Sequence, residues 1–288
     1  MRFATIQTAF GPRAALLQGD HYIDLHASES SLPKSVRHLI ELGPPAWKAA
    51  EQVAHRDGAI RYEAATIRML PPIPDPPKIV CLGLNYRDHA LESGAPIPKD
   101  PVLFSKYTTA LIGHEAPIVL PPVSNEVDYE AELVVVVGKG GRHLKAETAM
   151  SHVAGYTVGH DVSARDWQLK KDQKQWMVGK TFDTFAPTGP VLVTADEIPD
   201  PHKLQVQLRL NGTTLQNSNT KEFIFGVPHL LWYLSQCVTL EPGDLIFTGT
   251  PPGVGIARNP PVLLKPGDVA EVEIEKIGVL KNSCVAES

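Results

Sequence analysis

The sequence predicts an α+β fold with a mostly antiparallel β core, and three features carry that expectation. Apolar and polar residues alternate in KLQVQLRLNGTTLQ (203–216), and its Asn211-Gly212 pair is a strong hairpin signal. Twenty-six prolines and 22 glycines among 288 residues favour short strands and tight turns over a helical bundle. Helical periodicity is sparse, and VPHLLWYLSQCV (227–238) is its best case in the second half.

Taken in order, MRFATIQTAFGPRAALLQGDHYIDL (1–25) alternates like strands and turns around Gln18-Gly19-Asp20. SVRHLIELG (35–43) and AWKAAEQVA (46–54) read as helices. LPPIPDPPKIV (70–80) places five prolines between Pro71 and Pro77. Proline restricts both itself and the residue before it, so this stretch is an extended linker. It divides a small N-terminal domain (1–72) from a larger one (73–288). KIVCLGLNY (78–86) is then a short buried strand, and RDHALESG (87–94) a short helix closed by Gly94. Two PGD turns, Pro242–Asp244 and Pro266–Asp268, precede the strands LIFTG and VAEVEIEKIG.

Composition excludes some partners. A net charge of −5 offers no basic surface for nucleic acid, and no apolar run approaches a membrane span. The first residues lack the apolar block of a signal peptide. Cys81, Cys237 and Cys284 are odd in number and form no CxxC, so reduced thiols in a cytoplasmic setting are expected. An organelle such as the mitochondrion stays open.

VDYEAELVVVVGKG (127–140) joins five consecutive apolar residues, Leu133 to Val137, to acids at every second position before them. Side chains alternate along a strand, so Asp128, Glu130 and Glu132 should face one way and repel. A shared cation would make that favourable. Glu130 and Glu132 can offer two oxygens, and Asp161, which also follows an apolar stretch, a third. Carboxylates without a cysteine cluster suit Mg²⁺ first, with Mn²⁺ or Ca²⁺ as alternatives. The plain alternative is a solvated strand end.

Other residue types capable of chemistry gather nearby. His89 and Glu92 share a face of a helical turn, and a carboxylate beside an imidazole makes a general base; a chance surface pair is the rival reading. Lys180, in GKTFDTFAPTGP, can hold an anionic substrate oxygen or stand exposed. Arg165 and Gln168 follow Asp161 by four and seven, one face if the segment is helical, where they could clamp a carboxylate or form a surface turn. FTGTPPGVG (247–255) is no phosphate loop, lacking a GK[ST] ending. A rigid loop presenting the hydroxyl and amide of Thr250 to a substrate carboxylate fits better. His114, His143, His152 and His160 lack metal-ligand spacing and read as structural.

GLNYRDHALE, PVLFSKYTTALIG, VDYEAELVVVVGKGGRHL, GYTVGHDVSARDWQ, GKTFDTFAPTGP and GDLIFTGTPPGVG together resemble the fumarylacetoacetate hydrolase family. They occur in family order across residues 78 to about 285. The N-terminal 70 residues and KQWMVGKTFDTFAPTGP resemble its domain-containing protein 2 branch. The resemblance implies a mixed β-sandwich roll preceded by a small N-terminal α/β domain, and a homodimer. It implies Mg²⁺ or Mn²⁺ on Glu130, Glu132 and Asp161, and a His89–Glu92 base dyad on a lid. Lys180 corresponds to the substrate-orienting lysine, Arg165 and Gln168 to a polar pocket pair, and Thr250 to the loop threonine. Asp128 takes no ligand role.

The implied chemistry is that of a short 2-oxo or diketo acid held through its carboxylate and adjacent carbonyl by the ion, which favours the enolate. With water activated by His89, this gives carbon–carbon bond hydrolysis of an acylpyruvate or fumarylacetoacetate type, the leading expectation. Oxaloacetate tautomerisation or decarboxylation is the alternative. A binding protein that kept the fold and lost the reaction is the rival from another class.

Overall fold

The computed structural model describes residues 1–92 and 94–287; Ser93, inside the RDHALESG segment, and Ser288 lie outside them. Five strands form early: β1 (Arg2–Thr8), β2 (Gly11–Gln18), β3 (His21–Asp24), β4 (Arg61–Glu63) and β5 (Met69–Leu70). Between them lie α1 (Leu25–Ser28), α2 (Val36–Leu42) and α3 (Pro44–Ala54). Asp24 and Ser35 cap α1 and α2 with their side chains, and α3 begins with proline, which has no N–H to leave orphaned.

Beyond the proline-rich crossing come β6 (Ile79–Gly83), α4 (Arg87–Glu92), β7 (Val102–Ser105), β8 (Leu111–Ile112) and β9 (Ile118–Leu120). Next are β10 (Val127–Asp128), β11 (Ala131–Val137), β12 (Val153–His160) and β13 (Ser163–Ala164). The short helices α5 (Arg165–Leu169) and α6 (Trp176–Lys180) precede β14 (Ala186–Thr194). The chain closes with β15 (Gln205–Leu210), β16 (Thr213–Asn219), α7 (Val227–Cys237), β17 (Leu245–Phe247), β18 (Val269–Ile274) and β19 (Gly278–Ala286). The β15–β16 hairpin turns on Asn211 and Gly212 at φ of 52° and 79°, as the sequence predicts.

Twelve strands make one sheet whose path runs β4-β3-β2-β1-β14-β12-β11-β17-β6-β7, with β5 and β8 at its sides. A five-stranded sheet, β16-β15-β18-β19-β9, packs on it. Pairing is antiparallel except at β17–β6, β14–β8 and β19–β9. The strand β11 shows why five apolar residues run together. Leu133, Val135 and Val137 belong to one buried cluster with Val206, Leu208 and Val272 of the second sheet, whereas Val134 and Val136 belong to another that includes Val36, Leu39 and Val53 of the helices. Both faces are covered, so neither alternate set can be polar.

Residues 1–72 share that sheet with the rest: Phe3 pairs with Leu192 across β1 and β14. We keep the division near residue 72 as a proposal for the chain's organisation, with the two parts structurally dependent. Deleting residues 1–72 strips β14 of a neighbour and β11 of its helical cover. The remaining chain is expected to aggregate and to lose its cooperative melt. Size-exclusion chromatography with thermal circular dichroism checks this, and a monodisperse fragment with a sharp transition would show instead that 73–288 folds alone.

Candidate active site

The row of acids lies where the chain leaves one short sheet for the main one. Asp128 ends β10, the backbone departs from strand geometry at Tyr129 and Glu130, and Glu132 is the second residue of β11. Opposite, Ala131 pairs with His160, so the end of β12 brings Asp161 alongside. One oxygen each from Glu130, Glu132 and Asp161 lies within 4.8 Å of the others, and all three residues are buried. The solvated strand end is thereby ruled out.

Such a cluster survives in a core only if its charge is balanced, because an unpaired buried ion costs on the order of several kcal/mol. Lys180, at the end of α6, places Nζ 2.8 Å from Glu130 Oε2 and 2.9 Å from Asp161 Oδ2. Arg165, opening α5, bridges Glu130 Oε1 at 2.7 Å and Asp128 Oδ2 at 2.8 Å. Lys106, fully buried, stands 2.7 Å from Asp161 Oδ1 while its three hydrogens go to the carbonyls of Val162, Lys180 and Phe185. Four carboxylates thus face three cations.

The missing charge falls on Glu132. Its Oε2 accepts from the Gly249 amide at 2.8 Å, but Oε1 is buried without a hydrogen-bond partner among the described residues. Burial first, then Asp161 and Glu130, hold its carboxyl well above the ordinary value of 4.5. Glu130 goes the other way: burial pushes it up, but Lys180 and then Arg165 outweigh that and leave it lowered. Burial opposes the Lys180 charge, yet Asp161 and Glu130 raise its affinity for a proton. His160 is pulled down to about 3 by burial and then by Lys106, so its imidazole is neutral. An orphaned carboxylate oxygen, beside two more carboxylates and no sulfur, fits a hard divalent cation.

A cavity of about 330 Å³ opens beside the acids, lined among others by His89, Glu130, Arg165, Gln168, Lys180 and Thr250. Every predicted site side chain except Glu92, Glu132 and Asp161 therefore reaches its wall. His89 Nδ1 and Glu92 Oε2 are 3.0 Å apart, and Glu92 Oε1 accepts from the Gly253 amide at 2.9 Å, which clips α4 to the 251–257 loop. Arg165 Nη1 donates to Gln168 Oε1 at 2.9 Å within α5. Gly179 lets α6 press against α5, since a Cβ there would strike the Gln168 backbone.

Some expectations need correction. Asp161 is not on a helical face with Arg165 and Gln168, because β13 intervenes before α5 begins. The Thr250 hydroxyl donates to Ala131 O at 3.0 Å and accepts from Gln216 Nε2 at 2.9 Å. It fastens its loop to β11, so the hydroxyl is already engaged. The expected repulsion within the acid row is answered by Arg165 as well as by any ion, which explains Asp128.

Sequence reasoning passed over Lys106, Asn85 and Gln216. Asn85 donates to Thr248 O at 2.8 Å and accepts from Phe225 N at 2.8 Å, fixing the turn after β6. Its neighbour Leu84 has φ of 51°, a strained value for a bulky residue, and lines the cavity. Gln216 Oε1 accepts from the Ala131 amide at 2.8 Å. Polar residues within or just after apolar runs were the available signal, most visibly Lys106 after VLFS.

The family model for the fumarylacetoacetate (FAA) hydrolase C-terminal region matches residues 78–285. The chain belongs to the fumarylacetoacetate hydrolase family. It is an enzyme of that family with the family's α+β fold, and its similarity is to the domain-containing protein 2 branch. A Xenopus laevis protein named oxaloacetate tautomerase fahd2, mitochondrial, is 48% identical over 289 residues, 99% of this chain and 90% of that protein. The solved fumarylacetoacetate hydrolase of Exiguobacterium antarcticum is 35% identical with a TM-score of 0.86, covering 100% of both chains. Maleylpyruvate hydrolase from Sphingobium sp. SYK-6, solved with manganese(II) and pyruvate, is 30% identical with a TM-score of 0.84, again covering 100% of both. A family enzyme leaves no place for the non-catalytic reading.

The state of Glu132 gives a test of the metal site. An acid held above its unfolded value takes up a proton when the metal-free chain folds. Stability therefore falls as pH rises above 4.5 toward the raised folded value. A bound divalent ion displaces that proton, so Mg²⁺ or Mn²⁺ affinity is expected to rise with pH, with about one proton released per ion. Calorimetric titration in buffers of different ionisation enthalpy measures the release. Glu132→Ala should weaken binding by at least about a hundredfold; an unchanged affinity would remove Glu132 from the ligand set.

Proposed function

We propose that the chain interconverts the enol and keto forms of oxaloacetate, with Mg²⁺ as the resident ion and Mn²⁺ able to replace it. The observation that carries this reading is the His89–Glu92 pair on the wall of a small cavity that also presents Arg165, Gln168 and the acid cluster. Tautomerisation requires one proton to leave the enol oxygen and one to reach the adjacent carbon. It needs neither a water nor room for a leaving group, and about 330 Å³ suits a four-carbon diacid. The relative of similar length and 48% identity carries the name of that activity.

Glu130, Glu132 and Asp161 are the residues that would hold the ion. When bound, it supplies Lewis acidity toward the 2-oxo carboxylate end of the substrate. Arg165 and Gln168 bind the anionic substrate from α5, and the Thr250 amide meets a carboxylate oxygen. Glu92 holds His89 by Nδ1, and the His89 imidazole carries the proton to and from carbon. Lys180, charged and fixed between two acids, stabilises negative charge on the substrate oxygen.

Carbon–carbon hydrolysis, put first by the sequence alone, becomes the second reading, favoured by the maleylpyruvate hydrolase likeness. Incubation with enol-oxaloacetate and with acylpyruvates, each with and without Mg²⁺, separates the two. Metal-dependent loss of enol absorbance without acylpyruvate cleavage is expected. Turnover of acylpyruvates alone would reverse the order, and decarboxylation would appear as pyruvate. His89→Ala should lower kcat by about 10²- to 10⁴-fold.

A homodimer and a thiol-reducing compartment, cytoplasmic or mitochondrial, complete the proposal. The edge strand β7 exposes Val102 and Leu103, and Tyr107 and Val238 are exposed at a groove beside it. An unpaired apolar edge invites a partner. Light scattering is expected to give twice the chain mass of 31.3 kDa, whereas a mass of one chain at micromolar concentration would refute the dimer.

A further inference from the structure

Asp128 is wholly buried, and its two oxygens accept four N–H groups. Oδ1 takes the amides of Tyr129 at 2.8 Å and Gly255 at 2.7 Å. Oδ2 takes Arg165 Nε at 2.8 Å and the Ile256 amide at 3.1 Å. Gly255 is needed for this approach, because a Cβ there would collide with Asp128 Oδ1 and Val262 O. The next residue, Tyr129, joins in: Arg258 Nε donates to its hydroxyl at 3.1 Å and to Gly253 O at 3.2 Å. The same Gly253 gives its amide to Glu92 Oε1. One carboxylate therefore holds the substrate-binding arginine and, through four residues of loop, the partner of the base.

We propose that Asp128 is a positioning residue that couples Arg165 to the His89–Glu92 dyad through the 253–256 loop. The catalytic consequence rests on the proton-transfer role given to that dyad above; the mechanical link does not. An asparagine at 128 keeps the shape but turns an NH₂ toward donors, so at least one loop amide loses its acceptor. Arg165 retains Glu130 at 2.7 Å, so substrate binding suffers less than base placement. The signature is a fall in kcat with little change in KM.

The test is a double-mutant cycle on enol-oxaloacetate turnover with Mg²⁺, using Asp128→Asn, Glu92→Ala and the double variant. Hydrogen exchange across 253–257 is read on each. Asp128→Asn should lower kcat between about tenfold and a hundredfold in the native background, because small displacements of a base are costly. In the Glu92→Ala background its effect should shrink to less than about twofold, and exchange at the loop amides should quicken. Equal falls in both backgrounds, or unchanged loop exchange, overturn the coupling. Should Asp128→Asn not fold, Glu92→Ala alone probes the link from its other end. Faster exchange at Gly255 and Ile256 supports it, and native exchange refutes it. A native enzyme inert toward enol-oxaloacetate would defeat the proposed function, and the exchange measurement would still decide the link.

Discussion

Everything in the site follows from placing four carboxylates in a dry core with only three cations among them. Glu130 and Asp161 share Lys180, Asp128 and Glu130 share Arg165, and Lys106 stands against Asp161. Glu132 is left with one backbone amide and a bare oxygen. Breaking such a network by removing one partner leaves an uncompensated buried charge, at about 3–5 kcal/mol. The arrangement is tolerable only on a scaffold that cannot relax. A strand covered on both faces and hydrogen-bonded on both edges, as β11 is by β12 and β17, provides that rigidity.

The fold distributes the work among elements that the sequence keeps far apart. Turns after β6 and β17 converge because those strands are parallel neighbours, which brings Asn85 to Thr248 and Gly249 to Glu132. The pairing of β10 with β13 sets Asp128 opposite Ser163, two residues before Arg165. The helix α4 is tied to the 251–257 loop through Glu92 and Gly253. The acid cluster, the Arg165–Gln168 pair and the His89–Glu92 pair therefore sit on three separate supports.

Local structure was legible because it is encoded locally. The Asn211-Gly212 turn, the proline-initiated helices and the both-face burial of Leu133 to Val137 each follow from neighbouring residues. The acid triad was legible too, since strand alternation and the apolar stretch before Asp161 point to it. Long-range pairing was not. Nothing within MRFATIQT announces that Phe3 will sit beside Leu192. Lys106 escaped notice for a related reason: a buried lysine whose ammonium meets three distant carbonyls looks in sequence like a surface lysine. The engagement of the Thr250 hydroxyl could not be read from the sequence, because its partners, Ala131 and Gln216, are more than 30 residues away. Asp128 could be read only once Arg165 and the 255–256 amides were seen around it.

Charge also says what kind of molecule the cavity can accept. Because the raised affinity of Glu132 for a proton offsets the fourth carboxylate, an anion gains little by entering the metal-free site beyond its contact with Arg165. A divalent cation held by Glu130, Glu132 and Asp161 would compete with that proton and bring two positive charges to the same place. Completing the triad with an ion would thereby create an attraction for a carboxylate, in surroundings where water screens poorly. A ligand bearing two negative groups would gain most from such a field, since the acids already hold Lys180 and Arg165 in fixed positions. The His89–Glu92 pair, by contrast, is the least buried part of the constellation, carried on α4 and tied to the 251–257 loop through Gly253. Buried, fixed electrostatics beside a more exposed imidazole suit the proposed reaction, in which the charge stays in place and only a proton moves.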